Sequence, residues 1–590
     1  MYLLNLKRMS DTWLQRVFRN NYNQNVTDIE NHVNGITKTT TEALELQDKR
    51  ISNLVLESGG NSNIEVADAR VDANGESHDT IKDRLDSNQT LVEIKLNEHK
   101  ERINNLAVDV TSFGARGDDL NNDSLSIQAA IDSLNGSGKL LFPKGMYFIS
   151  ELVFEKMNGL QIIGDGSAQT QLAILGDNPD KKVSFKGCKD VRIEGITLQL
   201  YDSESVDKIF FTEYDGVPCS EVVFRDCVIN NNVNMKRTSG TITFWRNCFN
   251  VTFENCTFND TNKPLKFDNN GVSVPDIATY RFLNCKFLGD ASLRAYRAIE
   301  FMGSGERNMS TAYIQNCIFE NFDYQTVNLY HITSFVVTNN TFKNCKALVT
   351  SNYRGTSPIE SAICWLDSSS IGTVSVCTGN TFKDCVGICI YLEEGSQTII
   401  SDNKFYNISK RPQGILAYDD GFGTLIEGYG AHCIIIVGGC VDVVISNNTF
   451  VNVVRAVLVC RRFAYSTIGS YYIKNIQIVN NTLNCSEVAF DLKEKIEDRV
   501  VVKGNRALGN NFPFVEIKRY GSYEPGSVQV LDNIIQGYSC VCRNSLNYGQ
   551  GIMMNNYFQG NAFWEIDFRQ KWVVRNNVWN NNGTVTVVDS

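Results

Sequence analysis

Phe253-Glu254-Asn255-Cys256-Thr257-Phe258 is the stretch that decides the reading of this chain. It runs apolar, polar, Asn or Asp, Asn or Cys, polar, apolar. The same pattern returns at Phe224–Ile229, Phe282–Phe287, Ile314–Phe319, Val337–Phe342, Ile445–Phe450, Ile478–Leu483 and Val574–Trp579. Weaker copies surround Asn380, Asn403, Asn505, Asn533 and Asn556. The fourth position recurs at intervals of 21 to 45 residues, which is the signature of a solenoid with inserts of variable length.

Each copy alternates as a strand does and has no 3.6-residue period. A second apolar pair follows most copies, as in Ala298-Ile299-Glu300-Phe301 and Gly387-Ile388-Cys389-Ile390. Each coil therefore holds at least two short strands. Asn stands at the bends, where its side chain tolerates a left-handed backbone. Stacking such coils places Asn on Asn and Cys on Cys and makes parallel sheets. The fold expected is mainly β, a right-handed parallel β-helix preceded by an α-helical coiled-coil stalk. A leucine-rich repeat is set aside because its Leu spacing and helical half are absent.

The segment before the coils carries a resemblance. It reads Phe113-Gly114-Ala115-Arg116-Gly117-Asp118, then Ile127-Gln128-Ala129-Ala130-Ile131, then Phe142-Pro143-Lys144-Gly145-Met146-Tyr147. This resembles the opening of the pectate-lyase-like superfamily in the form found in phage tailspikes and pre-neck appendage proteins, with Asp119 where the pattern has Gly. Asp123 is expected to cap a helix over 124–133, which closes the end of the solenoid and hides its first edge.

Residues 1–108 differ in character. Heptad spacing links Ile29, Val33, Ile36, Thr40, Ala43 and Gln47. It links Leu85, Gln89, Val92, Leu96, His99, Ile103 and Leu106 more cleanly. Gln and His at the seam fit a coiled coil whose register polar residues set; a lone amphipathic helix is the alternative. Ile64–Arg70 with Asp79–Leu85 resembles a connector of tail and baseplate proteins from phages of Gram-positive hosts. That resemblance implies a homotrimer, though heptads alone leave a dimer open. It also implies attachment to phage tail or baseplate proteins through the N-terminus. The expected organisation is a virion-attachment segment over 1–57, a connector and second helix over 58–108, a capping segment over 109–155 and the β-helix over 156–590.

Composition excludes several classes. Net charge is −10, without the basic stripe of a nucleic-acid binder. No run of ~18 apolar residues is present to span a membrane, and Met1–Ser10 does not read as a signal peptide. Proline is scarce, 9 in 590, so turns fall to Gly, Asn and Asp. The 18 cysteines recur in coil positions and read as reduced core residues. Gly136-Ser137-Gly138-Lys139 lacks the rest of a phosphate loop. Asp119–Asp123 lacks the Gly and Glu of a calcium loop, and no zinc-type His pair exists. No cofactor and no metal are expected.

Chemistry is sought on the outward positions of the second strand. With Ile299 and Phe301 inward, the first outward column reads Thr243, Lys266, Glu300, Asn328, Cys364, Cys389, Ile434 and Leu458. The second reads Trp245, Asp268, Met302, Tyr330, Leu366, Tyr391, Ile436 and Cys460. The early coils are thus polar and aromatic outside, expected to stay open, and the late coils apolar outside, expected to be covered. Trp245, Arg246, Lys266, Asn328, Tyr330, His331 and Tyr391 suit a sugar polymer. Asp268 and Glu300, on adjacent coils ~4.8 Å apart, fall within the ~5–9.5 Å separations used by glycosidases; merely solvating the face, or pairing with Lys266 and Arg297, is the alternative. The polygalacturonase-type catalytic motif is absent, so no residue transfers from those enzymes. Asp419 and Asp420 in the 409–431 insert, near Glu393-Glu394, are the second choice, and Arg461-Arg462 a third region.

The function expected is a phage tail spike that binds and degrades a host cell-wall polysaccharide or teichoic acid during adsorption, by hydrolysis or β-elimination. It would be made in the host cytoplasm, carried on the virion tail and used at the host surface. A non-enzymatic receptor-binding fibre on the same fold is the alternative.

Overall fold

The computed structural model describes residues 69–588 apart from stretches of which the longer are 176–182, 202–207, 232–240, 269–277, 290–294, 303–307, 347–361, 369–373, 411–417, 420–424, 427–431, 461–472, 519–526, 545–550 and 566–571. Before residue 69 it describes only residues 31, 43 and 45–47. The chain forms two compact units, Met1–Asn104 and Asn105–Ser590.

In the first unit, helix α1 spans Ile81–Asn104. Thr80 starts it by accepting a hydrogen bond from the Asp83 amide at 3.0 Å. Leu85, Gln89 and Val92 of the expected seam are exposed on the single helix, and so are Leu91 and Ile94 outside it. Of the earlier heptad set, Ala43 and Gln47 are helical and exposed; Ile29, Val33, Ile36, Thr40 and Leu106 lie outside the described residues.

The second unit is mainly β, with long parallel ladders, consistent with a right-handed parallel β-helix. Each coil contributes three strands. Coil by coil, Leu265–Asp268 pairs with Ile299–Met302, Ala278–Leu283 with Asn308–Gln315, and Lys286–Leu288 with Ile318–Glu320. The long strand Val327–Thr338 turns the corner between the first two ladders.

The bend of the repeat explains its sequence. The third position is left-handed: Asn255 (φ 54), Asn284 (φ 56), Asn316 (φ 56), Asn339 (φ 57), Asn447 (φ 55) and Asn480 (φ 56). Asn and Asp accept that conformation more readily than other side-chain-bearing residues. The fourth position points inward and stacks. In early coils it is Cys, as where the Cys256 thiol donates to the Phe224 carbonyl of the previous coil. The Cys317 amide then donates to Asn340 Oδ1 at 2.8 Å, and a continuous asparagine ladder begins. Each Nδ2 donates to the next Oδ1, from Asn340 to Asn380 at 2.9 Å and on to Asn556 and Asn577 at 2.8 Å. The sixth position stacks rings, with Phe258, Phe287, Phe319, Phe342 and Phe382 at centroid separations of 4.6–4.9 Å.

The N-terminal end is closed by helix α2, Ser124–Ser133, which buries Ile127, Ala130 and Ile131. Gln128 satisfies the first strand edge directly. Its Nε2 donates to the Val153 carbonyl and its Oε1 accepts the Val153 amide, at 3.0 and 2.9 Å. The expected capping by Asp123 is corrected. Its carboxylate turns back to accept the amides of Arg116 and Gly117, and Asn122 Oδ1 takes the Ser124 amide at 2.9 Å instead. Gly117 is required there: its φ is 58°, and a Cβ would lie 2.8 Å from the Tyr147 ring.

All 18 cysteines are free and buried. Burial pushes the Cys188 thiol up to about 12, so it stays protonated at neutral pH. Folded protein is expected to resist a thiol reagent and to release nearly all 18 thiols in denaturant; a low denatured titre would reveal bridges. Asn448→Leu removes the partner of the Asn403 amide, the Ile400 carbonyl and Asn481 Oδ1. It should destabilise by about 3 kcal/mol or more, against about 1 kcal/mol for Cys256→Ala, as read from denaturant midpoints.

Candidate functional site

The outer face of the first ladder is built from the strands that follow the second apolar pair. One column of this face runs through consecutive coils. Thr243 pairs with Lys266, Lys266 with Glu300, Glu300 with Asn328, Asn328 with Trp365 and Trp365 with Tyr391. It continues through Ile435, Leu458, Asp491, Glu516 and Arg543. Lys266, Glu300 and Asn328 thus share one column, and Trp245 and Asp268 share the next.

The sequence-based columns slip by one residue in the coils of Cys364 and Ile434 and by two in the coil of Cys389. Cys364, Leu366, Cys389, Ile434 and Ile436 point inward and belong to the main core. Tyr391 is outward but in the first column. The outward positions there are Tyr391, Glu393, Ile435 and Val437, with Trp365 in backbone register with Tyr391 and Asp367 with Glu393. The cause is the corner. Two successive residues point into the core, such as Ala298-Ile299, Ile363-Cys364, Cys389-Ile390 and Ala456-Val457, and strict alternation begun one residue early inverts the coil. The late face is therefore apolar for only two coils. There Ile435, Val437, Leu458 and Cys460 join Ile388 and Tyr391 in a separate cluster, each at most 2% exposed in the single chain.

The polar block is not open. Lys266, Asp268, Arg297, Glu300 and Asn328 are all more than nine-tenths buried. Trp245 is half-buried and Arg246 exposed at the margin. The charges are compensated on the same face. Lys266 Nζ lies 3.0 Å from Asp268 Oδ2 and 5.6 Å from the Trp245 ring centroid. Arg297 Nη1 donates to Glu300 Oε1, and the Arg297 guanidinium sits 5.2 Å from the Tyr324 ring centroid. Asp268 and Glu300 stand diagonally, one coil and two residues apart, which puts their Cα atoms about 8 Å from each other. Tyr330 and His331 lie in the strand Val327–Thr338. Asp419 lies in a two-residue strand, Tyr418–Asp419, paired with Leu425–Ile426. Asp420, Glu394, Arg461 and Arg462 lie outside the described residues.

A second charged block went unread in the sequence. Asp491 Oδ2 lies 3.5 Å from His432 Nε2 and 3.4 Å from Arg455 Nη1, and Arg455 Nε donates to Glu487 Oε2 at 2.6 Å. Glu516 follows Asp491 on the next coil, with Arg543 at 3.8 Å. The signal was present: the first column carried past Leu458 reaches Asp491 and Glu516. No group of His, Cys, Asp and Glu among the described residues is arranged to hold a metal ion.

The family model described as "Right handed beta helix region" matches residues 241–429. Plasmin and fibronectin-binding protein A of Streptococcus pneumoniae is 23% identical over 208 residues, 32% of this chain and 25% of that protein. The match therefore spans about a quarter of that relative's length. Among solved structures, the chain is similar to the catalytic domain of a GH87 alpha-1,3-glucanase, with TM-score 0.40, 12% identity and coverage of 81% of this chain and 69% of that one. It is similar also to tailspike protein 3 of bacteriophage CBA120 (0.36, 12%, 87% and 64%). A third is the mannuronan C-5 epimerase A-module of Azotobacter vinelandii (0.27, 13%, 80% and 99%).

Lys266→Met takes the cation from a buried carboxylate. It should cost about 3 kcal/mol, and Lys266→Met with Asp268→Leu should recover most of that loss. Equal loss in single and double variants, by thermal or urea unfolding, would rule out coupling between the two.

Proposed function

We propose that this chain is a spike that binds and cuts a cell-surface polymer along the outer face of its first ladder. One observation carries the reading. Two ion pairs, Lys266–Asp268 and Arg297–Glu300, are buried on adjacent coils outside the core and beside Trp245. The core is complete without them. Buried ion pairs add little stability over apolar residues, so their presence beside Trp245, on a face the core does not need, supports a role in chemistry. Trp245 offers a ring to a pyranose, and the paired groups read its hydroxyls. Asp268 and Glu300 are the proposed catalytic carboxylates. Their diagonal spacing suits the wider separation of an inverting glycosidase, ~6.5–9.5 Å between carboxyl groups.

The receptor-binding fibre draws on the same ion pairs, since a carboxylate held by a cation also serves recognition. Incubation with purified wall polysaccharides and teichoic acids, followed by assay for reducing ends, phosphate esters and unsaturated uronate, separates the two. Glu300→Gln is expected to keep binding and lose ~10²–10⁴-fold in turnover. Binding without any released product would leave the fibre, and full turnover in both Glu300→Gln and Asp268→Asn would move the chemistry elsewhere on the face.

The location on a virion tail, with assembly as a homotrimer, is proposed from α1. Its exposed Leu85 and Val92, 54% and 64% accessible, recur at heptad spacing and suit burial between copies. Deleting residues 1–104 leaves the strand Ala107–Asp109, which pairs with Lys139–Leu141. The truncated protein should fold yet lose oligomer mass in light scattering; a monomeric full-length chain would refute the stalk.

A further inference from the structure

The proposed site has hydrogen-bonding capacity that the protein leaves unused, and its chemistry discriminates between substrates. Glu300 is in register with Asn328, and the same register carried back sets Gln325 on the coil after Arg297. The ion pair Arg297–Glu300 on one coil is thus overlaid by two amides on the next, at the ~4.8 Å spacing of neighbouring strands. Gln325 is fully buried and Asn328 is 7% exposed. Neither Gln325 Nε2 and Oε1 nor Asn328 Oδ1 has a hydrogen-bond partner among the described residues. Elsewhere the protein satisfies buried amides thoroughly, as in the ladder, where Asn448 donates to both Ile400 and Asn481. A buried amide without a partner is costly, and native proteins rarely keep one without a reason.

We infer that Gln325 and Asn328 are substrate-reading residues, and that the unit they read is a neutral, hydroxyl-bearing sugar rather than a phosphate of a teichoic acid backbone. This rests on the reading of the face as a polymer site. A phosphate calls for cations with charge to spare. Both cations of this block are held by carboxylates of the same face, Lys266 by Asp268 and Arg297 by Glu300. What Gln325 and Asn328 add to them is neutral, an amide donor and two amide oxygens. That mixture of donor and acceptor matches sugar hydroxyls, each of which donates one hydrogen bond and accepts others. Trp245 stands at the open margin of the block to stack the ring.

The test uses the full chain and the fluorescence of its tryptophans, or calorimetry. Neutral hexose and N-acetylhexosamine oligosaccharides are titrated beside glycerol phosphate oligomers and inorganic phosphate. At least one neutral oligosaccharide should bind. Gln325→Met and Asn328→Leu, which keep size and remove polarity, should each weaken it about tenfold. Both variants should fold, with thermal midpoints equal to or above the parent, because each removes an unsatisfied buried group. Binding of glycerol phosphate oligomers that weakens with salt and is indifferent to Gln325→Met would overturn the sugar class while leaving the face as a polymer site. A neutral oligosaccharide bound equally well by both variants would overturn the role of the amides. No binding of any polymer would remove the face reading itself.

Discussion

The left-handed residue at the bend of each coil is the constraint on which the rest depends. It turns the chain sharply enough for the next side chain to point along the stack, where it meets its counterpart one coil away. When that side chain is Asn, one amide satisfies a backbone carbonyl of an earlier coil and the Oδ1 of the next asparagine. Bend, ladder and coil spacing are therefore one interaction. An insert of any length is tolerated between bends, because the ladder re-establishes register at the next one. This explains how neighbours in the ladder stand 21 residues apart at Asn556 and Asn577 yet 45 apart at Asn403 and Asn448.

The change from Cys to Asn along the stack follows the same logic. A thiol is small and satisfied by one weak contact to a carbonyl, so the early coils close over it as over an apolar residue. An amide must be matched on both sides. Once Asn340 enters, each following coil supplies another Asn, and the run ends only where the strand Thr584–Val588 pairs antiparallel with Asn577–Asn581 at the C-terminal end.

The outer face obeys different rules. Stacking repeats a column position every coil, so like charges would meet there. The structure sets a base against each acid of the early block, Lys266 with Asp268 and Arg297 with Glu300, and where two acids do stack, Asp491 on Glu516, Arg455 and Arg543 stand beside them. Charges of this kind are expensive to bury and unnecessary for winding the coils.

The repeat, the bends, the internal Cys and Asn ladders, the closing helix and the reduced state of the cysteines were all legible in the residue pattern, because each rests on a short local motif or on a position that recurs in every coil. The early outward column was legible too, since Lys266, Glu300 and Asn328 follow regular alternation. Cys364, Cys389 and Ile434 were misplaced because a corner that takes two inward residues in succession leaves no mark in the sequence. Asp123 was assigned to the helix by its position, whereas its carboxylate is claimed by Arg116 and Gly117. Tertiary structure alone decided that the polar block is buried, that its carboxylates are held by cations, and that Gln325 and Asn328 share it with amide groups unspent. Those facts depend on which side chains meet between coils separated by inserts of differing length, and local periodicity carries no record of that meeting.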